Sequence, residues 1–297
     1  MKVKYITPAV TIFTENGGID AEGNKKIYNR LIDGGVDGIV VMGSTGEFFA
    51  MTIEQIKELI DISTSCCAGR TELYIGTSRM IAEETIELGN YAIEKGANGV
   101  MIISPYYFQL PDESIERYYD IVAEGIKGDI FLYNYPDITG HSISAQTVLN
   151  LVKKHKNIVG IKDTVPMVSH IRSIINTVRP EFPDFQVYGG FDDTFPFVAH
   201  AGGNGCIGGL SNIMPEVFSK WAEAANNGDY AEVSRISQKV NIAMEICGVS
   251  SPYIPAVKRA LNILGVEISE YVKPPFTTLN SVQEKKLKDI MSRIGLI

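Results

Sequence analysis

Lys162 stands at the end of Asn157-Ile-Val-Gly-Ile-Lys-Asp-Thr164, a run rich in β-branched apolar residues. Ile158, Val159 and Ile161 suit a short strand covered on both faces. Alternation along a strand puts Ile158, Gly160 and Lys162 on one face and Asp163 on the other, so Gly160 is expected to leave space beside the lysine. An ammonium is costly to keep charged at the apolar end of a strand, and a free amine is a nucleophile for carbonyl carbon. A solvated lysine that merely ends the strand satisfies the same residues.

Three further groups have chemistry to offer. Gly43-Ser-Thr-Gly-Glu47 is a glycine-flanked turn in which the hydroxyls of Ser44 and Thr45 and free backbone N–H groups suit a small anion such as a carboxylate. A tight turn with a polar tip is its plain alternative, and no lysine follows the glycine as in a phosphate-binding loop. Tyr133 shares a face with Phe131 and either passes protons or is a core aromatic with its hydroxyl at a rim. Tyr107 closes Ser104-Pro-Tyr-Tyr107. His141, His155, His170 and His200 form no metal-binding pair, and none is expected to share a strand end with carboxylates, so no catalytic metal is predicted.

The elements that must position these residues alternate. Strands are predicted over 5–10, 38–42, 73–76, 99–103, 130–133, 157–162, 185–189 and 204–207. Helices are predicted over 20–32, 52–67 (opened by a Thr52–Gln55 capping box), 82–95, 112–126, 144–154, 167–178, from after Asp193 to 201, and 215–226. Parallel strands joined by helical crossovers close, at eight units, into an α/β (β/α)8 barrel, a TIM barrel. Active sites of such barrels lie at the C-terminal strand ends, and Ser44-Thr45, Tyr107, Tyr133 and Lys162 follow strands two, four, five and six. That convergence favours the nucleophile reading of Lys162. Beyond Gly228 the pattern is helical only, over 229–246, 253–264 and 281–294. The expected layout is a catalytic barrel, residues 1–226, and a C-terminal helical extension, 227–297, packed on it.

Composition narrows the function classes. With 45% apolar and 21% charged residues, the chain suits a globular protein with a large core. A net charge of −8 argues against nucleic acid as a partner. No window offers a membrane helix, and Lys2 and Lys4 precede no secretory signal pattern. Cys66, Cys67, Cys206 and Cys247 lack Cys-x-x-Cys spacing, which suits reduced thiols in a cytoplasmic protein.

Gly43-Ser-Thr-Gly-Glu47, Ser104-Pro-Tyr-Tyr107, Tyr133-Asn-Tyr-Pro136 with Thr139-Gly140, and Gly160-Ile-Lys-Asp-Thr164 together resemble the dihydrodipicolinate synthase / N-acetylneuraminate lyase family, the pyruvate-dependent class I aldolases. The resemblance covers nearly the whole chain. It implies that Lys162 forms a Schiff base with a keto acid, that Tyr133 shuttles protons, and that Ser44 and Thr45 bind the substrate carboxylate. It further implies that Tyr107 reaches a neighbouring subunit's site in a homotetramer, a dimer of dimers, and that no metal or cofactor is used. Dihydrodipicolinate synthases carry arginine where this chain has Ile138, and neuraminate lyases match only partly at Gly189-Gly-Phe-Asp-Asp193 and Gly209. The chain looks most like the 2-keto-3-deoxy-sugar-acid aldolases. The expected reaction is reversible cleavage of such an acid, for example 2-keto-3-deoxygluconate, to pyruvate and an aldehyde. Thr164, Gly190, Asp192 and Ile207 would line the aldehyde half. Neuraminate lyase or dihydrodipicolinate synthase activity are alternatives within the same chemistry. A non-catalytic keto-acid-binding barrel is the alternative of another class, disfavoured because a sensor needs no proton relay.

Overall fold

The computed structural model describes residues 2–297. Eight parallel strands close in sequence order: β1 (Lys4–Pro8), β2 (Gly38–Val41), β3 (Glu72–Gly76), β4 (Gly99–Ile103), β5 (Ile130–Asn134), β6 (Ile158–Asp163), β7 (Gln186–Gly189) and β8 (Gly205–Ile207), with β8 pairing back onto β1. The crossover helices are α1 (Ala21–Asp33), α2 (Ile53–Cys67), α3 (Ala82–Glu94), α4 (Asp112–Gly125), a single turn α5 (Pro136–Thr139), α6 (Ala145–Lys154), α7 (Val168–Val178), α8 (Phe195–His200) and α9 (Pro215–Asn227). This is the predicted TIM barrel, and the Thr52–Gln55 capping box that opens α2 is formed on both sides.

Each strand is buried on both faces because helices cover the outside and side chains fill the inside. The inside filling corrects one expectation. Gly160 leaves no free space beside Lys162: a Cβ there would lie 2.5 Å from the Phe131 ring. Phe131 stacks edge-on with Tyr74 at 5.0 Å and lies 6.2 Å from Tyr188, so aromatic rings floor the mouth beneath the lysine.

After α9 come α10 (Tyr230–Ala243), α11 (Ile254–Ile263) and α12 (Ser281–Arg293). Their apolar faces, including Ile236, Val240, Val257, Leu261, Leu287 and Ile290, belong to the same continuous core as the strands. Helix α11 carries one departure from its apolar stripe: Lys258 is fully buried. Among the described residues no helix is long and apolar enough to cross a membrane.

Candidate active site

Strand register brings the first pair together. Tyr133 on β5 lies directly opposite Lys162 on β6, both pointing inward. Lys162 is only 5% exposed; its Nζ donates a long hydrogen bond of 3.4 Å to the Tyr133 hydroxyl and sits 4.4 Å from that ring's centre. Among the described residues no carboxylate forms an ion pair with it. A buried amine with no carboxylate partner, facing a hydroxyl, is well placed to attack a carbonyl. Tyr133 in turn is 3.4 Å from the Ser44 hydroxyl, so amine, phenol and serine form one chain of exchangeable protons.

Ser44 and Thr45 occupy a short 3-10 turn, Ser44–Gly46, bracketed by two non-glycine residues in the left-handed region: Met42 at φ 60° and Glu47 at φ 57°. Each costs roughly 1–2 kcal/mol, a strain the surroundings must impose. One imposer is Gly76 on β3, where a Cβ would fall 2.0 Å from the Met42 carbonyl oxygen, so only glycine lets the two strand ends approach. The other is the helical extension. The fully buried Lys258 donates to a Glu47 carboxylate oxygen at 2.7 Å and to the Tyr271 carbonyl at 2.8 Å, and the Lys273 N–H donates to the other Glu47 oxygen at 3.1 Å. Thr45 Oγ1 lies 2.5 Å from the Tyr253 hydroxyl. Sequence reasoning missed Tyr253 and Lys258; the available signal was a lysine four residues after Ile254 and three before Leu261, on the helix's apolar face.

The outer side of β6 corrects the histidine expectation. Asp163, fully buried and turned away from the mouth, accepts from Asn134 Nδ2 at 2.7 Å and pairs with His170 Nδ1 at 2.8 Å. The bond to Asp163 raises the His170 imidazole above its ordinary range. A histidine therefore does share a strand end with a carboxylate. Asn134 and Asp163 are themselves in register, so their bond ties together the strands that present Tyr133 and Lys162. Among the described residues no group of three or more His, Cys, Asp or Glu side chains is arranged to hold a metal ion.

The remaining predicted residues surround a cavity of about 800 Å³ at the mouth, lined by Ser44, Thr45, Tyr133, Lys162, Thr164, Gly190, Asp192 and Ile207 together with residues of the extension. Thr164 Oγ1 is buried there without a partner. Gly190 is obligatory beside it, since a Cβ would meet that oxygen at 1.9 Å. Asp192 Oδ1 accepts from the Tyr5 hydroxyl at 2.6 Å and the Leu210 N–H at 3.1 Å, and burial lifts its carboxyl to about 6 against those two bonds. Among the lining residues Lys162 is the one base, and Asp137 and Asp192 are the acids. Ile138 sits on the rim, 47% exposed. Tyr107 is not brought to this cavity within one chain: it stands 80% exposed, edge-on against the also exposed Phe108. A second hollow of about 280 Å³, by Val152, Lys156 and Phe182, contains none of these groups.

A TIM barrel whose mouth presents a buried lysine, a tyrosine in register with it and a hydroxyl-bearing anion turn is an enzyme built for carbonyl chemistry on a small acid. Sequence comparison agrees. The model of the dihydrodipicolinate synthetase family matches residues 2–294. The chain is 33% identical over 291 residues to the Escherichia coli K12 protein named "putative 2-dehydro-3-deoxy-D-gluconate aldolase YagE", covering 98% of this chain and 96% of that one. It is 32% identical over 292 residues to the 4-hydroxy-tetrahydrodipicolinate synthase of Methanococcus aeolicus, covering 98% and 99%. The crystal structure of YagE in complex with pyruvate superposes with a TM-score of 0.96 at 32% identity, covering 99% of both chains. The chain belongs to the dihydrodipicolinate synthetase family and is a pyruvate-dependent carbon–carbon lyase.

Proposed function

We propose that the chain reversibly cleaves a 2-keto-3-deoxy sugar acid, such as 2-keto-3-deoxygluconate, to pyruvate and a hydroxy-aldehyde through a Schiff base on Lys162. The observation that carries the reading is the amine of Lys162, buried without a carboxylate partner and facing Tyr133. The lysine Nζ attacks the C2 keto carbon, and loss of water gives the imine. Protonated, the imine draws in the electron pair of the breaking C3–C4 bond, leaving an enamine and releasing the aldehyde. Tyr133 takes the proton from the C4 hydroxyl and carries protons for imine formation, with Ser44 next in the chain. Protonation at C3 and hydrolysis return pyruvate and the free lysine. Ser44 and Thr45 hold the carboxylate throughout. No metal or cofactor enters this sequence.

The substrate half rests on charge. The amino-aldehyde used by the synthases carries a carboxylate, and the lining of this mouth offers it no cation other than the lysine already engaged. Ile138 occupies the rim position where the synthases have arginine. Thr164 Oγ1, buried and unpartnered beside Gly190, suits a hydroxyl, and Asp192 and Ile207 line the same cavity. In the working enzyme, residues 1–226 form the catalytic barrel and 227–297 its extension. The proposal includes a homotetramer in which Tyr107 completes a neighbouring subunit's proton relay, and the exposure of Tyr107 and Phe108 supports it.

The test is pyruvate release from five- and six-carbon 2-keto-3-deoxy sugar acids by the purified chain, with and without a chelator. Release that is insensitive to the chelator is expected. No release from any of these acids overturns the substrate assignment.

A further inference from the structure

We propose that helix α11 is the second half of the carboxylate site, with Tyr253 and Lys258 as positioning residues that hold Thr45 and Glu47 from behind. The inference rests on the reading of Ser44 and Thr45 as the carboxylate cradle. Three observations outside the barrel strands support it.

The first is polarity. The Tyr253 hydroxyl lies 2.5 Å from Thr45 Oγ1. Of two hydroxyls at that distance one donates and the other accepts. If Tyr253 donates, the Thr45 proton is left free to point into the mouth, where an anionic carboxylate oxygen is the partner that needs it. Tyr253 cannot easily turn elsewhere, because its hydroxyl fills the space above Gly209, where a Cβ would meet it at 2.3 Å.

The second is the backbone. Glu47 ends the Ser44–Gly46 turn in the left-handed region at φ 57°. A glutamate does not adopt that conformation without a hold. Its carboxylate accepts from two donors, the Lys258 ammonium at 2.7 Å and the Lys273 N–H at 3.1 Å, and a further Lys258 bond to the Tyr271 carbonyl at 2.8 Å fixes where that ammonium sits. Both charged side chains are 0% exposed. A buried pair seldom adds net stability over an apolar one, but it fixes one geometry sharply. What it fixes here is the turn that carries Ser44 and Thr45.

The third is spacing on one rigid body. Tyr253 caps α11 at its N-terminus and Lys258 lies on the same helix, so both ends of the turn are held from a single helix and move together with it. The adjoining lining residues Ser250, Ser251, Pro252 and Ile254 continue the same wall of the mouth. The extension is therefore part of the substrate site and not only a cover for barrel helices.

The experiment measures borohydride trapping of pyruvate on the full chain as a function of pyruvate concentration, for the wild type, Tyr253→Phe, and the paired neutral change Glu47→Gln with Lys258→Met. Tyr253→Phe removes one oxygen and keeps the ring packed over Gly209, so it decides the case even if the paired variant does not fold. The expected result is a rise of at least about fivefold in the half-saturating pyruvate concentration, with the trapping rate at saturation within about twofold of wild type. A loss of folded protein lowers the saturating rate and leaves half-saturation unchanged, so that outcome, or no change in either quantity, overturns the positioning role. A wild-type chain that traps no pyruvate on Lys162 overturns the proposed function instead, and is read before any variant.

Discussion

Two buried lysines make opposite use of the same side chain. Lys258 on α11 is fully enclosed, and its ammonium is matched by Glu47 and the Tyr271 carbonyl. Burial pushes it down from the usual lysine range, while the charge of Glu47 and its hydrogen bond oppose that. Lys162 on β6 is almost as enclosed but faces a phenol and an aromatic ring. Full pairing makes the first a fixed strut; the lack of a counter-ion leaves the second free to form a bond. Burial alone therefore does not mark a catalytic lysine. The identity of what faces it does.

Substitution should separate the two by what each loses. Lys162→Ala removes the nucleophile and is expected to lower lyase turnover by at least about 10⁴-fold, roughly 5.5 kcal/mol of barrel chemistry, with urea unfolding close to wild type because no buried partner is orphaned. A variant that keeps more than a hundredth of wild-type turnover would move the nucleophile elsewhere. Lys258→Met should do the reverse in kind: it leaves the Glu47 carboxylate buried and unpaired and is expected to cost about 3–5 kcal/mol in urea unfolding. Replacing Glu47 by Gln in the same chain should return most of that loss, whereas additive losses would show that the pair is not the cause.

Asp192 adds a pH dimension to the comparison, since it is a buried acid with only neutral partners. Its folded carboxyl, at about 6, lies above the unfolded value near 3.9, so ionisation opposes folding. The wild type should lose stability as pH rises from about 4 to about 6 and change no further from this group above that. Asp192→Asn keeps an oxygen for Tyr5 and Leu210 but does not titrate, so its stability relative to wild type should climb by ~1–3 kcal/mol across that window. Denaturation curves at pH 4 and pH 7 measure the difference, and parallel behaviour of the two chains would remove the buried ionisation.

The smallest expected effect concerns the uncharged side of the mouth. With saturating pyruvate, glyceraldehyde should exceed aspartate semialdehyde in specificity constant by at least about tenfold, only ~1.4 kcal/mol. Ile138 gives the carboxylate of aspartate semialdehyde nothing to bind and adds a desolvation cost. If aspartate semialdehyde wins, a cation absent from the lining of one chain must enter from elsewhere, and a neighbouring subunit would be the place to look.

What could be read from the chain and what could not divides along sequence distance. Strand β6 was legible because Ile158, Val159 and Ile161 leave few alternatives to a buried strand, and β4 matches its predicted bounds at both ends. The short turns were not. Ser44–Gly46 is shaped by left-handed backbone at Met42 and Glu47, and that conformation is imposed by Gly76 and by Lys258, 211 residues away. The space beside Lys162 was misjudged because alternation shows which side Gly160 faces but not that Phe131 from the next strand fills it. His170 was set aside because it follows β6 by a loop and a helix turn, and only the fold returns it to Asp163. The mouth residues that sequence did supply, Ser44, Thr45, Tyr133, Lys162, Thr164, Gly190, Asp192 and Ile207, line one cavity, whereas Tyr107 lies outside it.

The contrast between the two lysines is tested most directly by covalent trapping. The folded chain is incubated with pyruvate, reduced with borohydride, digested and mapped by mass. A single reduced pyruvate adduct on Lys162 is predicted, with Lys258 unmodified even after prolonged reaction because its amine is paired and enclosed. No adduct on folded protein, or an adduct at any other lysine in preference to Lys162, would contradict the assignment of the β6 lysine as the nucleophile.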